Sequence, residues 1–131
     1  MRTIIAGSRT CTQMQDLLDA LAYYDFDITA VIGGEAPGAD TLGKEWALAH
    51  GIPYYPYPAN WKKYGQAAGF VRNKQMRDEG KAEALIALWD GESPGTKNMI
   101  HLADEGGLVI YVHYIKVPPR KPNTKQLRVR N

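Results

Sequence analysis

Three short loops in this chain carry the residue types that hold an anion. The first is Gly7-Ser8-Arg9, in which Gly7 allows close backbone approach, Ser8 donates or accepts, and Arg9 offers a bidentate fork for a phosphate group. The second runs from Gly33 and Gly34 through Glu35, Ala36, Pro37 and Gly38 to Ala39 and Asp40. It carries three glycines, more than a plain turn with Asp40 capping the next helix would require. No Gly-Lys-Ser/Thr follows it, and its spacing is not G-x-G-x-x-G, so neither a P-loop nor a dinucleotide fingerprint is present. The third loop, Asp90 to Thr96, supplies Ser93, Gly95 and Thr96 as an anion nest at a helix start. Apart from the loops, Arg72 and Asn73 fall inside a helical stretch, where Asn is a poor helix former and points to a side-chain task.

The elements that must position these loops follow from periodicity. Thr3 to Ala6 is a short apolar run ended by Gly7, and from Met14 the apolar residues Leu17, Leu18, Leu21 and Ala22 recur at helical spacing. Ile28 to Ile32 is β-rich and stops at Gly33, after which Ala39, Leu42, Trp46 and Ala49 trace a second helix up to Gly51. Ile52 to Tyr57 reads as a third strand that Pro53 and Pro56 confine to an edge or to imperfect pairing. A helix is expected over 66–79, a strand over Ala84 to Trp89, a helix over Thr96 to Glu105 and a strand over Leu108 to Val112. This alternation predicts an α/β fold: a Rossmann-like, doubly wound, mostly parallel five-stranded sheet with helices on both faces. In such a sheet ligands lie beyond the carboxyl ends of the strands, where helix N-termini present N–H groups. All three loops fall on that edge and converge on one expected site.

Length and charge narrow the classes. The 131 residues suit one domain, expected over 1–117, with a basic, Pro-containing tail over 118–131. The net +2 conceals an asymmetry, because the last sixteen residues hold six cations and no acid. The preceding part carries ten basic and fourteen acidic side chains, a formal −4, which argues against a body built to track a nucleic-acid backbone. No apolar run spans a bilayer and the N-terminus lacks a signal-peptide core, so a cytoplasmic protein with no membrane partner is expected. His50, His101 and His113 sit on separate elements without ligand spacing, so no metal site is expected and no cofactor is required. Cys11 precedes the first helix, whose dipole would lower its pKa, but no base accompanies it. Trp61 offers a face for a base, although packing in the core or at a subunit contact is favoured. Trp46, Trp61 and the tyrosines 54, 55 and 57 exceed what a small core readily hides, so a homodimer or higher homo-oligomer is expected.

Four motifs in order carry a resemblance: I-A-G-S-R at Ile5 to Arg9, G-G-x-x-x-G-A-D at Gly33 to Asp40, A-x-W-x-x-x-G-x-x-A-G-x-x-R-N-x-x-M at Ala59 to Met76, and W-D-G-x-S-x-G-T at Trp89 to Thr96. From Thr3 to about Val112 the chain resembles the DUF2493, YspA-like branch of the SLOG superfamily, which also contains the LOG phosphoribohydrolases and the DNA-processing protein DprA/Smf. The resemblance implies a doubly wound sheet and a nucleotide-derived ligand held by Gly7, Ser8, Arg9, Gly33, Gly34, Gly38, Ala39, Asp40, Arg72, Asn73, Ser93, Gly95 and Thr96. It also implies subunit pairing, common among related proteins.

The primary expectation is a sensor or sequestering protein that binds a nucleotide or nucleotide-derived small molecule, for instance a signal in stress or phage defence. The enzymatic alternative is LOG-like hydrolysis of the N-glycosidic bond of a nucleoside monophosphate. The LOG signature ends in a glutamate that stabilises the oxocarbenium-like transition state, and Met99 stands at that position here. A carboxylate would then have to come from Glu35, Asp40, Asp90 or Glu92. A weaker alternative, by analogy with the DNA-processing relatives, is a nucleic-acid-binding accessory role for the tail.

Overall fold

Four consecutive buried residues, Thr3 to Ala6, make the first strand a central one, since both of its faces must be covered. In the computed structural model, which describes residues 1–116, this strand is β1 (Arg2–Gly7). The other strands are β2 (Ala30–Gly33), β3 (Tyr54–Pro56), β4 (Ala84–Trp89) and β5 (Val109–Tyr114). They form one five-stranded sheet in the order β3-β2-β1-β4-β5, with every pairing parallel. The expected Rossmann-like α/β architecture is thus observed, with a sheet that is wholly parallel. The basic segment 118–131 lies outside the described residues.

Five α-helices and one 3-10 turn connect the strands. Helices α1 (Met14–Tyr23) and α2 (Ala39–Ala49) cover one face, where Leu17, Ala20, Leu42 and Ala47 pack with Ile5, Val31 and Ile86. Helices α4 (Ala68–Asp78) and α5 (Pro94–Glu105) cover the other, where Met76, Met99 and Ala103 pack with Ile4, Ile32 and Leu85. The alternation Ile4/Ile5 and Leu85/Ile86 sends successive side chains to opposite faces, so each central strand supplies both cores. No helix among the described residues is long and apolar enough to cross a membrane.

Several expected boundaries shift for identifiable reasons. The third strand shortens to three residues and takes the edge, where Val31 N–H donates to the Pro53 carbonyl and Tyr57 N–H to that of Gly33. Pro53 therefore accepts from the ladder without having to donate, and the donor at the far end is Tyr57 and not Pro56. The helix expected over 66–79 begins two residues later, at Ala68, and an additional short helix precedes it. Asn60 caps a separate turn, α3 (Trp61–Tyr64), by accepting from Lys63 N–H at 3.1 Å, and a 3-10 turn (Gly65–Ala67) links it to α4. The last helix begins two residues earlier than expected, with Pro94 in its first turn, where a missing N–H costs nothing. Trp46, Tyr54 and Tyr57 pack against the cores, while Tyr55 stays exposed.

Candidate functional site

The sheet order places the crevice. The chain adds β2 and β3 on one side of β1, then crosses over so that β4 joins the other side. Loops leaving β1 and β4 therefore diverge, and the gap at their carboxyl ends is the topological switch point of the fold. A cavity of about 360 Å³ occupies that gap. Its walls include Gly7 and Arg9 from the first loop, Asp40 from α2, Arg72 and Asn73 from α4, and Ser93, Gly95 and Thr96 from the third loop and α5.

Ser8 holds the three loops together. Its side chain is buried, and its hydroxyl accepts from Asp90 N–H at 3.0 Å and lies 3.2 Å from the Ser93 hydroxyl. Its carbonyl accepts from Cys11 N–H and from Ala39 N–H, and its own N–H donates to the Leu88 carbonyl. One residue of the first loop is thus bonded to both of the others. The glycines of the second loop back the site without lining it. A Cβ at Gly33 would overlap the Tyr54 ring, and one at Gly34 would meet the Arg72 guanidinium and the Asp40 carboxylate. Gly38 adopts φ +83, and a Cβ there would meet the carbonyl oxygens of Ser8 and Arg9. Ala39 is fully buried behind it.

Charge inside the cavity is arranged around Asp40, which is 5% exposed. Its carboxylate accepts from Ala36 N–H at 3.1 Å and so pins the second loop, leaving the first turn of its own helix without a side-chain cap. Burial pushes the Asp40 carboxyl up to about 6, against the opposing pull of the Ala36 N–H and of the Arg72 and Arg9 guanidinium groups. Arg72 donates to the Gly34 carbonyl and, through Nε, to Asn73 Oδ1 at 3.0 Å. Burial draws its pKa down, although Asp40 nearby opposes this. Asn73 turns its amide toward the last helix, donating to the Gly95 carbonyl at 3.2 Å and to Asn98 Oδ1 at 3.0 Å. The Asn that is out of place by helix propensity thus ties α4 to the start of α5.

An acid whose pKa is higher folded than unfolded stabilises the fold fully below its unfolded pKa and loses that contribution as pH rises through its folded pKa. For Asp40 the loss falls between about pH 4 and pH 6. Asp40→Asn is expected to flatten the stability profile across that window, which urea titrations of both proteins at half-unit pH steps will read. Parallel profiles would remove Asp40 as the titrating group.

The other candidate carboxylates point elsewhere. Asp90 is a loop clamp: it accepts from the N–H groups of Glu92 and Ser93 at 2.8 Å and from the Ser93 hydroxyl at 2.8 Å. Partial desolvation raises its pKa, but these bonds outweigh it and hold the carboxyl below its ordinary value. Glu35 accepts from the Tyr54 hydroxyl at 2.6 Å and pairs with Lys44, outside the cavity. Glu92 is exposed and does not line it. The Ser93 hydroxyl, engaged with Asp90, leaves the first turn of α5 without a side-chain cap. That positive helix end therefore opens on the cavity.

Several residues not assigned to the site also line the cavity, Thr10 and Gln66 among them, and two of these are large aromatics. Phe70 lines the cavity, and so does Trp61, which is not in either core. Phe70 left no sequence signal, because a lone aromatic in a helix ordinarily reads as core. Cys11 moves the other way: its thiol is buried, and desolvation, aided by Asp16, pushes it up to about 12. The expected lowering by the helix dipole is overturned, since burial is the larger effect.

The crossover and the loops form the switch-point crevice of a Rossmann-like parallel sheet. Residues 1–64 match the YspA, cpYpsA-related SLOG family. The SLOG match takes in the first two loops and Trp61, and the all-parallel sheet agrees with a SLOG fold. Arg72, Asn73 and the third loop lie beyond the matched SLOG residues and join them through the contacts above. A search of curated proteins found no match.

Proposed function

We propose that this chain binds a phosphate-bearing nucleotide or nucleotide-derived small molecule in the switch-point cavity, as a sensor or sequestering protein. The observation that carries this reading is the convergence of Arg9, Arg72 and the uncapped start of α5 on one cavity. The exposed Arg9 fork, the positive charge of Arg72 and a helix N-terminus suit a dianion far better than a neutral solute. The SLOG match points to nucleotide-related function in general, and the cavity supplies the specific argument. Arg9 is exposed at the rim, free to close on a phosphate without disturbing the fold.

Phosphate-bearing nucleotides are expected to raise the melting temperature while the corresponding free bases do not. Arg9→Ala is expected to weaken nucleotide binding by about 1.5–3 kcal/mol, the range for a charge-assisted contact. Calorimetric titration of both proteins measures this, and equal affinities would place the phosphate elsewhere.

A second reading, hydrolysis of the N-glycosidic bond, rests on Asp40. It is the candidate carboxylate that lines the cavity, and a pKa near 6 suits a group that exchanges a proton near neutrality. Met99, at the position of the LOG glutamate, lines the cavity with a buried apolar side chain and supplies no charge. Chromatography for free base after incubation with nucleoside monophosphates separates hydrolysis from capture.

A further inference from the structure

Trp61 is 54% exposed and Phe70 is 51% exposed, and both line the same cavity as Arg9 and Arg72. Neither pairs with another ring among the described residues, and neither belongs to a core cluster. Isolated exposed apolar residues are ordinary on a surface; two large aromatics in the wall of one charged cavity are a different arrangement. Their placement is set by the backbone. Asn60 caps the short helix that begins at Trp61, and the 3-10 turn then leads into α4, which carries Phe70 to the same opening. Between them Gly69 has no side chain. The edge of the Trp61 ring and the Arg72 guanidinium each lie 3.9 Å from where its Cβ would stand, so the aromatic wall and the cationic floor meet at this point.

We propose that Trp61 and Phe70 form a stacking wall for a planar heteroaromatic base, so that the ligand is a nucleotide recognised at both ends and not a sugar phosphate or an inorganic anion. This rests on the phosphate-binding reading above and adds the base to it. The phosphate lies at Arg9, Arg72 and the start of α5, and the base projects outward to the wall formed by α3 and α4. Every base has a π face, so stacking confers affinity with little discrimination among bases. The half-exposed rings leave the outer side of the base open to water, which fits a site that senses or captures a class of nucleotides.

The experiment compares nucleoside 5′-monophosphates with ribose 5-phosphate, which keeps the phosphate and sugar but lacks the base, by calorimetry on the full chain. The nucleotides are expected to bind at least about tenfold more tightly, the range for one base stacked on an aromatic side chain. Trp61→Ala and Phe70→Ala are each expected to lower nucleotide affinity about tenfold and leave ribose 5-phosphate unchanged, with Trp61→Phe retaining most of the affinity. Tryptophan fluorescence is expected to be quenched by nucleotide and not by ribose 5-phosphate, and this quenching is expected to be lost in Trp61→Phe, which removes Trp61 but leaves Trp46 and Trp89. Equal affinity of the wild-type chain for both ligands overturns the stacking wall while leaving the phosphate site standing. Binding of neither removes both readings. If Trp61→Ala instead dissociates an oligomer and leaves the preference for nucleotide intact, the ring is a subunit contact and the proposal fails.

Discussion

Gly38→Ala is expected to destabilise the fold by about 3–5 kcal/mol and to abolish ligand binding in whatever folded fraction remains. At φ +83 and ψ −126 the backbone occupies a region that side chains of L residues avoid, at a cost of about 1–3 kcal/mol. The second contribution is steric. A methyl group there would stand 2.5 Å from the carbonyl oxygens of both Ser8 and Arg9, and these are backbone atoms that cannot rotate away. Relief requires the first loop to move. Ser8 then loses its bond from Ala39 N–H, and Arg9 leaves the cavity rim. Urea unfolding measures the first effect and calorimetry the second; a loss below about 1 kcal/mol would mean that the loops separate freely and do not form one unit.

The second large effect is expected at Arg72. Removing the Arg72 guanidinium takes away its charge-assisted hydrogen bonds to the Gly34 carbonyl and Asn73 Oδ1, worth about 1.5–3 kcal/mol each, and its attraction for the nearby buried Asp40 carboxylate. Arg72 is only half buried, so about 2–3 kcal/mol is expected for Arg72→Ala at pH 7. The signature is its pH dependence. Without Arg72 the Asp40 carboxyl rises further above its already raised value near 6, so the destabilisation grows with pH and is smaller at pH 4. Asp40→Asn in the Arg72→Ala background is therefore expected to recover part of the loss at pH 7 and none at pH 4. Additive effects of the two substitutions at every pH would show that the groups do not interact.

The strands were legible because burial on both faces leaves a continuous apolar run, and Ala84–Trp89 was bounded to the residue. Ile28 and Thr29 were drawn into β2 by their β propensity, yet Thr29 N–H bonds the Met1 carbonyl outside the ladder proper. The short helix Trp61–Tyr64 was not legible, because four residues before Gly65 are too few to show a helical period. At the site, loop glycines marked the correct sheet edge, but sequence does not distinguish a glycine that meets ligand from one that backs a neighbour. Gly33, Gly34 and Gly38 are of the second kind. Likewise, Asp90 and Asp40 look equivalent as loop carboxylates until the hydrogen bonds show one committed to its own loop and the other facing the cavity.

The pairing of β1 with β4 has a consequence for how the chain is made. As residues emerge in order, β2 can close on β1 early, and β3 can add outside it. The other edge of β1 must wait for its partner, since Thr3 pairs with Ala84 and Gly7 with Leu88. Until then Ile4, Ile5 and Ala6 present an unpaired apolar edge, the kind of surface that recruits strands from other chains. Closing so long a loop is also the slow, entropically costly step of the topology. The switch-point crevice is created by that same late pairing, so the binding cavity comes into being only as the vulnerable edge is sealed.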